Sequence, residues 1–227
     1  MNRRITLAGW VGLALLAAIP LWAADDVIRL SARSGSKMRL EGTSSVHDWQ
    51  VESKLIGGFL EVGKNFPLEP GQEVKPGPVE ARVEAFVTVR SLQSLNKDGS
   101  HYSDGMDEVM WGKLKMKEQK MIIFQSSEVV LKEAAKSKDA PYVFEAKGRL
   151  AVAGVTNTIS MPVNVLPLGE KKLKITGTTT VKMTAFGIEP PAPKIGLGLI
   201  KTGEEVKLIF EWMVGPARPA AAPAAGK

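Results

Sequence analysis

No cysteine occurs among the 227 residues, and that absence removes several kinds of protein at once. A disulfide-stapled scaffold is excluded, no lipid can be attached through a cysteine behind an export signal, and no thiolate is available as a metal ligand. Histidine is nearly as scarce, with only His47 and His101. A closed zinc site would have to draw carboxylates from distant strands, and an acid–base enzyme would have little to choose its base from. Aromatic residues make up 6% of the chain and few accompany the basic ones. Lys113, Lys115, Lys117 and Lys120 cluster but are interspersed with apolar residues, which reads as a solvated face and not as a nucleic-acid stripe.

What is present at the amino end is an export signal. Arg3 and Arg4 precede an apolar run from Leu7 to Leu16 that ends at Pro20-Leu21-Trp22-Ala23-Ala24, the order of a secretory leader cut after Ala23 or Ala24. That run is shorter than the roughly 18 apolar residues a membrane-spanning helix needs. The expected organisation is a signal peptide at 1–24, one domain at 25–215 and a disordered Pro- and Ala-rich tail at 216–227, with the product periplasmic or secreted. Of the net charge of +6, Arg3 and Arg4 of the leader supply two, leaving +4. This mild excess suits weak attraction to anionic headgroups and peripheral membrane contact. A homodimer is compatible with the sequence.

Strand signals dominate the remainder, as short apolar/polar alternations separated by Gly, Pro, Asn or Asp. Strands are expected near Val27–Ala32, Lys37–Glu41, Asp48–Val62, Val79–Val89, Met121–Leu131, Tyr142–Val152, Thr156–Val165, Leu173–Met183 and Glu205–Val214. The fold class is therefore all-β, with enough strands for an antiparallel barrel of about eight. Gly57-Gly58 lies inside one strand pattern, where glycine marks a bulge, a bend or a close backbone approach, although a plain turn between two strands fits the local sequence as well. Between Asn65 and Pro78, three prolines and two glycines argue for an exposed connection. One segment breaks the pattern: Met106, Val109, Met110 and Leu114 recur at helical spacing, with Ser103 or Asp104 placed to cap the helix.

Chemistry is thinly supplied. Ser44, His47 and Asp48 lie close in sequence, but adjacent strand residues point to opposite faces, so closeness does not make a triad. Asn96 through Asp107 fails as a calcium loop, since its sixth position is His101 and its twelfth is Asp107. No metal site and no catalytic residue is expected.

Four stretches in order carry a further signal. The first is Leu40-Glu41-Gly42-Thr43-Ser44-Ser45-Val46-His47-Asp48-Trp49, followed by Gly57-Gly58-Phe59. The second is the helix from Met106 through Leu114, leading to Met121-Ile122-Ile123-Phe124. The third is Gly148-Arg149-Leu150-Ala151-Val152-Ala153-Gly154-Val155-Thr156. The fourth runs from Met183-Thr184-Ala185-Phe186-Gly187 to Ile200-Lys201-Thr202-Gly203-Glu204-Glu205-Val206. Together they resemble the YceI-like family, in the subgroup with His-Asp-Trp: exported lipocalin-like barrels associated with binding polyisoprenoid lipids and quinones. Ala185 stands where relatives commonly carry aspartate.

The resemblance implies non-catalytic binding of an apolar lipid tail inside the barrel, with an isoprenoid lipid or quinone as ligand and no cofactor. The expected pocket draws on Trp49, Phe59, Met106, Met110, Trp111, Phe124, Met183 and Phe186, with the helix as a lid. A barrel filled by its own side chains would instead point to an envelope interaction protein.

Overall fold

The computed structural model describes residues 27–217 except 193, 196 and 197. The expected signal peptide, and the tail beyond Ala217, lie outside the described residues. Within them no helix is long and apolar enough to cross a membrane.

The strands are β1 (Ile28–Ala32), β2 (Lys37–Ser44), β3 (Trp49–Ser53), β4 (Gly57–Val62), β5 (Gly77–Pro78), β6 (Ala81–Thr88), β7 (Gln93–Leu95), β8 (Met121–Glu133), β9 (Tyr142–Val152), β10 (Val155–Pro167), β11 (Leu173–Lys182), β12 (Lys194–Ile195), β13 (Gly198–Leu199) and β14 (Thr202–Pro216). Pairing runs β1, β4, β6, β8, β9, β10, β11, β14 and returns to β1, all antiparallel. This is a closed antiparallel barrel of eight strands.

Three of its staves are broken in the middle: β2 continues β1 along β14, β3 pairs with β2, and β7 pairs with β3. Buried serines hold the breaks together, because backbone polar groups freed from the ladder must find partners. Ser36 donates to Arg33 O and accepts from Met213 N, while the Ser53 hydroxyl accepts from Leu55 N and meets the Ser91 hydroxyl at 2.7 Å. The expected single strand at 48–62 is therefore two, parted at 54–56.

Alternation then sorts the residues. In β9, Tyr142, Phe144, Ala146 and Leu150 are buried while Lys147 and Arg149 face water, as a strand with one wet face requires. One end of the barrel is closed by the connection from β4 to β6. Phe66 and Leu68 are buried there, and Phe66 stacks on Phe144 with ring centroids 5.3 Å apart. The expectation of an exposed connection is corrected in part: Glu69, Gly71, Glu73 and Lys75 are exposed, but Phe66 and Leu68 turn inward to plug the barrel, and Gly77 and Pro78 pair with Leu131 and Val130 as β5.

Tyr142 completes this plug, its hydroxyl donating to Gln72 O. Burial raises its phenol above the ordinary value of 10.0. Above pH 10 the unfolded chain therefore loses a proton that the folded chain retains, and stability falls as pH climbs from that ordinary value through the raised one. Tyr142→Phe should weaken this alkaline loss, measured as the slope of urea midpoint against pH between 9 and 11.

Candidate functional site: an apolar cavity under a helical cover

At the opposite end the barrel is hollow. A cavity of about 480 Å³ extends from the mouth inward, with Leu40, Val51, Leu150, Val181 and Leu208 in its walls. The side-chain polar groups of its lining, including Ser44, His47, Ser103, Lys113 and Thr202, come from the mouth end of the strands, the connections there and the helix. Val46, Tyr102 and Val109 line it while 65%, 47% and 48% exposed, so the cavity reaches solvent between the β2–β3 turn and the helix. Volumes of about 300–1,000 Å³ are usual for small-molecule pockets.

The cover is α1 (Asp104–Lys113), capped as its sequence suggests, with Ser103 Oγ accepting from Met106 N. Met106, Val109, Met110 and Lys113 recur on the side that lines the cavity, the three-and-four spacing of one helix face. Asp107 fastens the helix: it is 1% exposed, accepts from Ser94 N at 2.6 Å and lies 2.9 Å from His101 Nε2. His101, Asp104 and Asp107 bring donor atoms within 4.8 Å of one another, but the two buried oxygens of Asp107 are already engaged. Its evident work is to hold α1 against β7.

Of the residues expected in the pocket, Trp49, Met106, Met110, Met183 and Phe186 lie in the cavity wall. The ring of Trp49 spreads over Gly42 on the paired strand, where any Cβ would stand 2.2 Å from it. Phe124 is buried deeper, in the wall of a second, smaller chamber.

Phe59 and Trp111 are placed elsewhere. Phe59 lies between the Arg29 and Arg82 guanidiniums, 3.6 and 5.2 Å from its ring centroid, on the outer face, because Leu60 and Val62 take the inward positions of β4. Trp111 donates to Leu92 O at 3.0 Å beneath Arg90. It sits about 100° around the helix from Met110.

Nothing resembling a hydrolytic relay forms at the β2–β3 turn. The Ser44 hydroxyl donates to His47 O at 2.6 Å, and His47 Nδ1 lies 2.8 Å from Asp48 O. These side chains stabilise the turn, and the His47 ring meets Tyr102 edge-on at 5.9 Å.

Beyond β11, the Thr184 hydroxyl, and after it Lys182, hold the Glu204 carboxyl below the ordinary carboxylate range. Asn157 Nδ2 donates to Ala185 O at 2.6 Å. β10, which carries Asn157, thus reaches the backbone at Ala185.

A closed eight-stranded antiparallel barrel, plugged at one end and opening at the other into an apolar cavity, defines a lipocalin-like barrel. The chain belongs to the YceI-like family, whose domain model matches residues 35–213. Among solved structures it is similar to a polyisoprenoid binding domain from Saccharophagus degradans, with a TM-score of 0.58 at 10% identity, covering 83% of this chain and 98% of that one. It is also similar to BcnA from Burkholderia cenocepacia, with a TM-score of 0.53 at 17% identity, covering 78% and 95%. No curated protein sequence matches it. At these identities the structural likeness establishes the fold.

Proposed function

We propose that this protein holds an apolar lipid tail, of polyisoprenoid or isoprenoid-quinone type, in its barrel as a non-catalytic binding protein of the cell envelope. The observation that carries the reading is the cavity of about 480 Å³, apolar below a polar mouth. The ligand class comes from the family and from the polyisoprenoid binding domain that shares the fold. The envelope location rests on the leader read in residues 1–24.

The energetics are consistent. Each buried CH₂ gains about 0.8 kcal/mol, so ten carbons gain on the order of 8 kcal/mol, which corresponds to micromolar affinity. Ordering the tail and losing its free translation reduce that gain, so tight binding requires either a longer tail or a polar contact. Organic-solvent extraction of protein purified from a native-like host should release a stoichiometric lipid, identified by mass spectrometry. Repeated preparations without lipid would count against the carrier.

A barrel filled by its own side chains is disfavoured by the same cavity. An enzyme acting through His47 has only the turn geometry described above to draw on.

A further inference from the structure

Below the main cavity, near the plugged end of the barrel, lies a second chamber of about 110 Å³. Ala81, Ala85, Phe144, Ala146 and Trp212 are among its walls, and its inner surface is entirely apolar. A buried water needs about two to four polar partners. This wall offers none, so hydrocarbon suits the chamber better than water does.

The level between the two chambers is built from three side chains on different strands. Phe124 and Phe210 lie back against the barrel wall because the positions beside them are glycines: a Cβ at Gly148 would stand 2.7 Å from the Phe124 ring, and one at Gly177 would stand 2.5 Å from the Phe210 ring. Gly177 is the register partner of Phe210 across β11 and β14. The third side chain is Met38, the partner of Phe210 on β2. It is half-buried, and among the described residues it is the only one common to the linings of both chambers. Methionine is unbranched and has three rotatable bonds, so it repacks without a shift of the backbone.

Size sets what passes. A dry apolar cavity of about 150 Å³ admits benzene, a molecule of six carbons. By that ratio the lower chamber takes about four carbons, close to one isoprene unit, and the main cavity of about 480 Å³ takes about nineteen, close to four units.

Resting on the lipid-tail reading, we propose that the lower chamber is the tail-end subsite, and that Met38 is the partition a tail displaces to reach it. A linear tail of four isoprene units fills the main cavity. A fifth unit passes Met38 and ends in the lower chamber, and a longer chain leaves its remaining units at the mouth. The preferred ligand is therefore a linear isoprenoid of at least five units, held tail end first, with its polar head among the polar residues of the mouth.

The test compares geranylgeraniol, four units long, with geranylfarnesol, five units long, titrated by intrinsic tryptophan fluorescence into the wild-type protein, Ala146→Leu and Met38→Ala. Each buried CH₂ is worth about fourfold in affinity. Ordering the added unit and displacing Met38 offset much of that gain, so the wild type should bind the longer alcohol about 10-fold more tightly. In Ala146→Leu the three added carbons occupy the lower chamber, and this step should fall to about twofold or less. In Met38→Ala the step should rise about threefold, because no flexible side chain has to be displaced and pinned. A step of equal size in the wild type and Ala146→Leu, or no step in a wild type that binds geranylgeraniol, overturns the subsite and leaves the lipid-tail reading standing. If neither alcohol binds the wild type, the two fall together. Should Ala146→Leu not fold, Met38→Ala decides, and a step unchanged from the wild type overturns the proposal.

Discussion

Gly58→Ala is expected to destabilise the barrel by about 4 kcal/mol, read as a large drop in urea midpoint, while Gly57→Ala next to it costs less than half as much. Gly58 has φ +117°, and a Cβ there would stand 1.9 Å from Glu84 O. That oxygen belongs to β6, whose Ala85 is the register partner of Gly58. Holding a side chain in such a backbone region costs about 1–3 kcal/mol, and overpacking adds a further ~1–3 kcal/mol. No rotamer relieves a clash with backbone, so β4 must part from β6. At Gly57 the nearest obstacle is the Phe86 ring, 2.3 Å from the hypothetical Cβ, and a side chain can turn aside. Equal midpoints for the two variants would show that β4 and β6 yield more easily than this geometry implies.

The two glycines also show how far the sequence could be read. Their presence inside a strand pattern pointed to a bulge, a bend or a close approach, with a plain turn as an equal alternative. The structure contains both a break at 54–56 and a close approach at Gly58. Long alternating strands were legible because period two persists over many residues: Tyr142–Val152 agrees at both ends. β7, Gln93–Leu95, was not legible, because three residues carry no detectable period and its pairing with β3 is set by tertiary structure.

The cavity wall was partly legible for the same reason. Met106 and Met110 share a helix face that spacing alone reveals. Phe59 was misassigned because aromatic character does not say which side of a sheet a residue takes, and the preceding break hides the phase of β4. Trp212 was overlooked although the signal was present: Val206, Leu208, Phe210, Trp212 and Val214 alternate without interruption through β14. Asp107 stood out in the sequence only as the twelfth position of a failed calcium loop, whereas its burial follows from docking α1 on β7.

Val181→Trp should abolish most ligand binding while leaving the fold intact, and this separation of effects is what distinguishes a binding cavity from an incidental void. Val181 sits on β11 opposite Val206, half-buried, with its side chain in the wall of the large cavity. A tryptophan there grows into empty space and not into packed atoms, so the usual ~1–3 kcal/mol penalty of overpacking does not arise and the melting temperature should hold or rise. A bound tail, in contrast, loses the room for about four CH₂ groups, worth roughly 3 kcal/mol, or on the order of a 100-fold loss of affinity. Titration of an isoprenoid lipid into both proteins, alongside thermal melts, reads the two effects independently. Unchanged affinity in a stable variant would mean that the tail lies elsewhere. A parallel fall in affinity and melting temperature would mean that the cavity is already needed by the protein's own side chains. Only affinity lost at constant stability fits a hollow kept open for a guest, since a protein gains nothing for its own folding by leaving a space of about 480 Å³ unfilled.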